Sequence, residues 1–566
     1  MDIKNNIIRT GLMGLLLTTT VSCSDFLNIE PLNEIVQDKF WNSESDVENI
    51  VAGCYSGLQS QAVVERMMAW GEFRSDNITG GTNYQNNESL ANLLKENITA
   101  KNEFARWESV YDIINRCNIV LEYAPQVAQK DPNFTDSELK ATQAEMSAMR
   151  DLCYFYLIRA FRDVPFSTTA FTSDTQEMAL PATPFNTILD SLITDLEKVR
   201  PFAVSKYPES KPLYQKIRIT QQAINAMLCE MYLWKKDYAN CIKYADLIID
   251  EKKKEYEEKS KNPSFNELKL YNGYPLITDE GRTYKGTAFQ SIFGSSGCSW
   301  ESIFELYYDM DETMLKNGAV SYYYGNSTTF PGIVKPADYI TTDVSNEQFT
   351  VYVNKYDTRN YTNHEKASSS VYGISKYADQ SLQVMVTSAD IASSGGSWYA
   401  ESNCYANWII YRLTDIMLLK AEALVQQVGD GTSESDIQKL QEAYNIVSAI
   451  NERSSCASTY TPIPYDSYSS KTQMENLVMQ ERQRELMFEG RRWFDLVRRS
   501  MRDGNTNYLI SQVSRRGSDN ASIVQSKLAR MDAIFWPYHN DELKVNPNLK
   551  QNPAFGSGED SSYEKN

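Results

Sequence analysis

Three carboxylates at four-residue spacing, Glu481, Glu485 and Glu489, stand in the stretch ERQRELMFEGRRWFDLVRR, residues 481–499. On a helix they share one face and could act as a metal or acid–base cluster. No His or Cys joins them and arginines are interleaved, so a structural ladder of ion pairs is the better reading. Other catalytic equipment is missing. The chain has no GxSxG elbow, P-loop, GxGxxG or HExxH, and its two histidines, His364 and His539, lack a partner pattern and are expected in loops or at the surface. A glycosidase needs only two facing carboxylates, and the 74 acidic residues leave that open. No EF-hand pattern appears, so calcium is unsupported, and no cofactor or other metal is implied.

Recognition is the better-supported chemistry. Sugar rings present apolar C–H faces fringed by hydroxyls, so a receptor needs flat aromatic platforms with polar side chains beside them. Candidates fall in two irregular regions. Arg74, Asp76, Asn77 and Tyr84 lie in the first; Trp300, Tyr322, Tyr323, Tyr324, Asn326, Trp398 and Tyr399 lie in the second. Tyr322 to Tyr324 are the sharpest, because three successive loop aromatics cannot all turn inward. Loop aromatics also plug the surface beneath them, and Arg74 to Asn77 could equally be a turn that only shapes the fold.

Helices must position these loops. Ser470 and Gln473 form a capping-box start, and no proline intervenes before Arg499, so one long helix is expected over 470–499. Its apolar stripe carries charges, which predicts an internal helix locked by pairs such as Glu489 with Arg492 and Asp495 with Arg499. Gly490 in mid-helix implies a second backbone packed against it. Helical periodicity recurs over 45–58, 104–126, 135–161, 183–200, 219–251, 413–427 and 437–453. Leu228, Tyr232, Tyr238 and Cys241 fit a tetratricopeptide spacing, with Cys241 in the small-residue slot. The charged run 251–261 reads as a solvated boundary. From 262 to 407 the periodicity fades into Gly, Ser, Asn and Tyr, with short strand-like alternations such as Phe349, Val351 and Val353.

Composition narrows the class further. The 566-residue chain is 42% hydrophobic with 36 Tyr and 9 Trp, and its net charge of −18 disfavours nucleic acid and anionic lipid. Mean hydropathy is −0.48. After the N-terminus no apolar run nears the roughly 20 residues a spanning helix needs. Residues 1–22 read as a secretory signal: Lys4 and Arg9, then an apolar stretch from Gly11 to Leu17, then Ser22 before Cys23. Cys23 is placed for lipidation, although Thr20 stands where leucine is usual; ordinary cleavage with an incidental thiol is the alternative. The remaining eight cysteines form no CxxC pair, so zinc is not indicated and mostly free thiols are expected.

The stretch 481–499 closely resembles the C-terminal signature of the SusD/RagB family, surface lipoproteins that capture nutrients beside an outer-membrane transporter. CSDFLNIEP at 23–31, Phe40-Trp41, Trp107 with Tyr111, Asn115 and Asn118, RDVPF at 162–166, Ala421-Glu422-Ala423, Trp300 to Phe304, Asp357 to Arg359 and the closing 534–555 resemble further family blocks in the same order. Arg162 and Tyr538-His539 depart from the usual residues. The resemblance implies a mainly α fold in which tetratricopeptide-like helix pairs support a loop-rich ligand region. It divides the chain into a signal (1–22), a lipidated tether (23–35), an N-terminal helical part (36–261), a loop-rich insertion (262–409) and a C-terminal helical part with tail (410–566). It further implies a non-catalytic glycan receptor anchored through Cys23 to the outer membrane, with a SusC-like TonB-dependent transporter as partner. An oligopeptide receptor, and then a secreted glycoside hydrolase, are the alternatives.

Overall fold

The computed structural model describes residues 40–278, 287–294, 297–308, 316–325, 330–341, 349–366, 372–377, 406–457, 459–517 and 521–556. The expected helices form where periodicity and caps agree. Glu44–Leu58 and Asp136–Phe161 each open on a capping box, from Ser43 with Asp46 and Thr135 with Glu138. Successive helices pack as pairs across short turns: Glu108–Lys130 with Asp136–Phe161, Gln221–Lys235 with Tyr238–Lys259, and Leu413–Gln426 with Glu434–Arg453. Lys236, in the left-handed region at φ 67°, turns the second pair over, and Asp237 caps the returning helix by accepting from the Asn240 amide. The fold is mainly α, as the helix-pair spacing implies, and its apolar side chains form one continuous cluster.

Between the second and third pairs the described residues form short strands, short helices and turns. Five two-stranded antiparallel ribbons appear among the described residues and none closes into a barrel. Two of them join distant parts of the chain. Ile78–Gly80 pairs with Val334–Pro336, and Ser302–Leu306 pairs with Trp408–Arg412. The alternation at Phe349, Val351 and Val353 makes no strand. The charged run 251–261 closes the helix Tyr238–Lys259 with its side chains largely at the surface, except Lys252, whose ammonium lies over the Trp300 ring at 4.6 Å.

The 470–499 region is two helices rather than one. Lys471–Leu486 starts on the expected Ser470–Gln473 box, stops, and the chain resumes as Arg492–Asp503. The break is imposed from outside. A Cβ on Gly71 would sit 1.9 Å from the Gly490 carbonyl oxygen, so two backbones meet there, as the glycine implied. Phe488 and Gly490 take φ values of 68° and 71°. Every backbone group freed by such a break needs a partner. The Glu72 carboxylate accepts from the Phe488 and Arg491 amides at 3.1 and 3.3 Å, and the Tyr324 hydroxyl donates to the Phe488 carbonyl at 2.9 Å. Lys376 Nζ donates to the Glu485 and Met487 carbonyls at 2.9 and 3.1 Å.

The acidic residues of this region form ion pairs, but not the expected ones. Arg412 bridges Glu485 and Glu489 at 2.7 Å each, Lys376 holds Glu489 at 2.6 Å, and Arg359 spans Glu481 and Glu485 at 2.6 and 3.2 Å. Arg453 links Glu485 at 2.5 Å to Glu301 at 3.1 Å, while Asp357 completes Arg359 and Arg484 completes Glu481. Five acids thus meet five bases, all buried. Burial opposes ionisation of Glu485, yet three guanidiniums hold its pKa well below the usual carboxylate range. Asp495 pairs with Arg482 and Arg498 at 2.9 and 2.8 Å instead of Arg499. Asp495 with Arg498 and Glu481 with Arg484 follow i,i+3 helical spacing, while the partners of Glu485 and Glu489 come from segments distant in sequence.

Candidate functional site

The first irregular region is tied into that break. Burial alone would raise the pKa of Asp76, but Arg492, at 2.8 and 3.0 Å, holds it below its usual value. Gln483 Nε2 donates to Asp76 and Asn77 at 2.9 and 2.8 Å. Asn77 in turn donates to Glu72 at 2.8 Å. Arg74 donates to Glu96 at 3.0 Å and to the Ala533 and Ile534 carbonyls at 2.8 and 3.0 Å, with Trp493 stacked 4.2 Å away. All three side chains are enclosed, so Arg74, Asp76 and Asn77 are corrected from ligand contacts to scaffold. Tyr324 is corrected likewise, being fully buried with its hydroxyl on Phe488.

Tyr322 and Tyr323 line a cleft of about 440 Å³ together with Gln61, Glu65, Arg66, Asn87, Ser89, Glu103 and Phe104. Tyr322 and Tyr323 lie on a short helix, Gly318–Tyr323, rather than in a loop. Its Asn317 cap accepts from the Val320 amide, and Gly332 packs against the Tyr323 carbonyl just after the helix. The Ile78–Gly80 ribbon pairs beside it and brings the segment bearing Tyr84 and Asn87 alongside. So the two irregular regions of the sequence do meet, through a ribbon joining residues some 250 apart in sequence.

The cleft is graded from apolar floor to polar rim. Phe73, Phe104 and Tyr323 form a ring cluster with centroids 4.9 to 6.2 Å apart. Tyr322 packs edge-on against Tyr323 at 5.0 Å and is 40% exposed. One aromatic face is thereby presented on a buried aromatic seat. Burial, and then the neighbouring Glu65, pushes the Tyr323 hydroxyl up, so it stays neutral. At the rim Gln61 donates to Glu65 at 2.8 Å, and Asn87 and Ser89 accept from the Leu90 and Glu103 amides. Glu103 accepts from Arg106 at 2.7 Å. The arrangement offers a stacking platform beside carboxylate and amide groups, suited to hydroxyl-rich rings.

The other candidates scatter. Tyr84, half-buried, covers Gly80. Trp300 is half-buried, with the Lys252 ammonium over its ring, and is not among the residues lining the cleft. Asn326, Trp398, Tyr399 and the lipidation candidate Cys23 lie outside the described residues. Both histidines are buried: His364 lies in the strand His364–Lys366, not in a loop or at the surface, and packs between Tyr352 and Tyr372, whereas His539 does sit in a connecting loop and caps the helix Asn540–Val545 by accepting from the Asp541 amide. Seven cysteines among the described residues are unbridged. No group of three or more His, Cys, Asp or Glu side chains among those residues is placed to hold a metal ion. Gln61, Glu65, Asn87, Ser89 and Glu103 were not anticipated. Their spacing carries no signal, since only tertiary pairing gathers them around Tyr322.

Comparison with known proteins agrees with this architecture. A family model described as "SusD family" matches residues 252–555, more than half the chain, and one described as "Starch-binding associating with outer membrane" matches residues 25–233. The SusD-like protein P38 of Formosa agariphila is 25% identical over 97% of this chain and 99% of that relative, and its SusD-like protein P2 is 22% identical over 85% and 89%. Among solved structures, a SusD homolog from Bacteroides thetaiotaomicron superposes with a TM-score of 0.66 at 17% identity, covering 91% of this chain and 97% of the other. A laminarin-binding SusD-like protein superposes at 0.58 with 16% identity, covering 91% and 100%. With matched models reaching across both helical parts and the fold shared throughout, the chain belongs to the SusD family.

Proposed function

We propose that this protein binds an oligo- or polysaccharide without converting it, in the cleft at Tyr322, and passes it to a SusC-like TonB-dependent transporter in the outer membrane. The carrying observation is the exposed Tyr322 ring on its aromatic seat, rimmed by Gln61, Glu65, Asn87, Ser89 and Glu103. Membership of the SusD family supports it, as does a family description that names starch binding and the outer membrane. A fold neighbour is described as laminarin-binding. Lipidation of Cys23 would hold the protein at that membrane. Tyr323 supports Tyr322 from below, Tyr84 lies on the segment that leads to Asn87, and Asn326, Trp398 and Tyr399 are further proposed contacts.

Glu65 and Glu103 both line the cleft, and two carboxylates are the minimum for glycoside hydrolysis. Hydrolysis also needs one carboxyl that donates a proton to the leaving oxygen. Here both accept, Glu65 from Gln61 and Glu103 from Arg106, which favours holding a ligand over cleaving it. The test is binding of the mature chain to a polysaccharide panel and a peptide library, with reducing-end release followed alongside. Retained glycan binding that falls roughly tenfold in Tyr322→Ala, with no new reducing ends, is the expected outcome. Peptide binding alone, or release that stops in Glu65→Gln, would overturn it. Co-purification with a TonB-dependent transporter from outer-membrane extracts tests the delivery step.

A further inference from the structure

The charge of the cleft points to a narrower ligand class, given the glycan-binding reading. Its lining carries two carboxylates, Glu65 and Glu103, and one guanidinium, Arg66. That guanidinium is already engaged. Arg66 is 8% exposed, its Nε donates to the Arg106 carbonyl at 3.1 Å, and its Nη1 lies 3.6 Å from Glu65. Glu108 and Glu103 add further negative charge around it. The next cation outward, Arg106, is divided between Glu103 at 2.7 Å and Asp541 at 2.8 Å. Neither arginine presents the open fork that recognises a carboxylate or sulfate. Glu65, by contrast, keeps carboxylate acceptor capacity beyond the bond from Gln61, and side-chain Glu103 is 61% exposed. The rim accepts hydrogen bonds from hydroxyls and repels anions, and the chain's net charge of −18 adds to that repulsion.

We infer that the Tyr322 cleft selects uncharged glycans and rejects uronate- or sulfate-bearing ones. A like charge brought within a few ångström of Glu65 or Glu103 is opposed strongly enough to weaken binding about tenfold or more at moderate ionic strength. The experiment uses the full mature chain with starch, laminarin, mannan and galactan, each paired with its O6-carboxylated and its sulfated derivative. Affinity is measured by calorimetry at low and high salt, for wild type and for Glu65→Gln with Glu103→Gln. Both side chains reach solvent, so the double variant keeps the fold, which circular dichroism verifies. The expected result is that at least one neutral polymer binds, its anionic derivatives bind at least tenfold more weakly, and the gap closes in the double variant and at high salt. Equal or tighter binding of an anionic derivative in the wild type overturns the selectivity, as does a gap that the double variant leaves intact. Binding that distinguishes no charge state yet falls in Tyr322→Ala overturns the selectivity while sparing the receptor reading. Failure of every polymer to bind overturns both.

Discussion

Replacing Glu485 by glutamine tests whether the ten-residue charged cluster is balanced as a unit. Glu485 touches Arg359, Arg412 and Arg453 at 3.2, 2.7 and 2.5 Å, and every member of the cluster is buried. Glutamine keeps the shape but leaves five bases facing four acids, and turns an amide toward guanidiniums that need acceptors. An uncompensated buried charge of this kind costs about 3–5 kcal/mol. Adding Arg453→Met restores the balance at four against four and should return roughly 2 kcal/mol or more of that loss. Chemical denaturation at pH 7, followed by tryptophan fluorescence, reads Glu485→Gln, Arg453→Met and the double variant. The pH dependence carries a second signature. Because the folded pKa of Glu485 lies below 4.5, its contribution is complete above that value and fades as pH falls through the folded pKa, so the penalty of Glu485→Gln should shrink in acid. A loss under about 1 kcal/mol, or a double variant as unstable as the two single losses added together, would refute the idea of a mutually compensated cluster.

Burial pushes Glu72 up to about 7, so the folded protein holds a proton that the unfolded chain has released between pH 4.5 and 7. Stability should therefore fall by roughly 3 kcal/mol as pH rises through that window, and Glu72→Gln should flatten the slope in denaturation series. Gly71→Ala, whose Cβ would meet the Gly490 carbonyl at 1.9 Å, should cost about 3 kcal/mol or more, whereas Gly53→Ala, with nothing within 4 Å, should be neutral or mildly stabilising in the same assay. Tyr324→Phe removes the bond to the Phe488 carbonyl and should lower stability by about 1 kcal/mol without touching glycan affinity, the reverse of Tyr322→Ala.

Much of the helical frame was legible because caps and periodicity are local. Ser470 with Gln473 is read from four residues, and the structure places that box where the spacing puts it; the helix expected from 135 likewise opens there, on a box of Thr135 with Glu138. The long helix across 487–491 was misjudged for the opposite reason. Gly71, Glu72 and Tyr324, which hold that bend, lie far away in sequence, and only their packing makes a left-handed Phe488 tolerable. The aromatic run at 322–324 is plain in the sequence, but which ring faces outward depends on a short helix seated over Phe73 and Phe104. Composition marks Arg74, Asp76 and Asn77 as polar residues fit for a ligand. Their partners Glu96, Arg492 and Gln483 are what make them internal.

The meeting of Gly71 and Glu72 with the turn before Arg492 has a consequence for how the molecule can be divided. Family models match the chain in two portions, 25–233 and 252–555, an apparent place to cut it in two. Each piece, however, carries half of a clasp. An N-terminal fragment would expose Asp76 and Glu72 without Arg492 or the amides of Phe488 and Arg491, and a C-terminal fragment would strand the arginine. The two pieces should therefore fold stably only when mixed, each supplying the partners the other lacks.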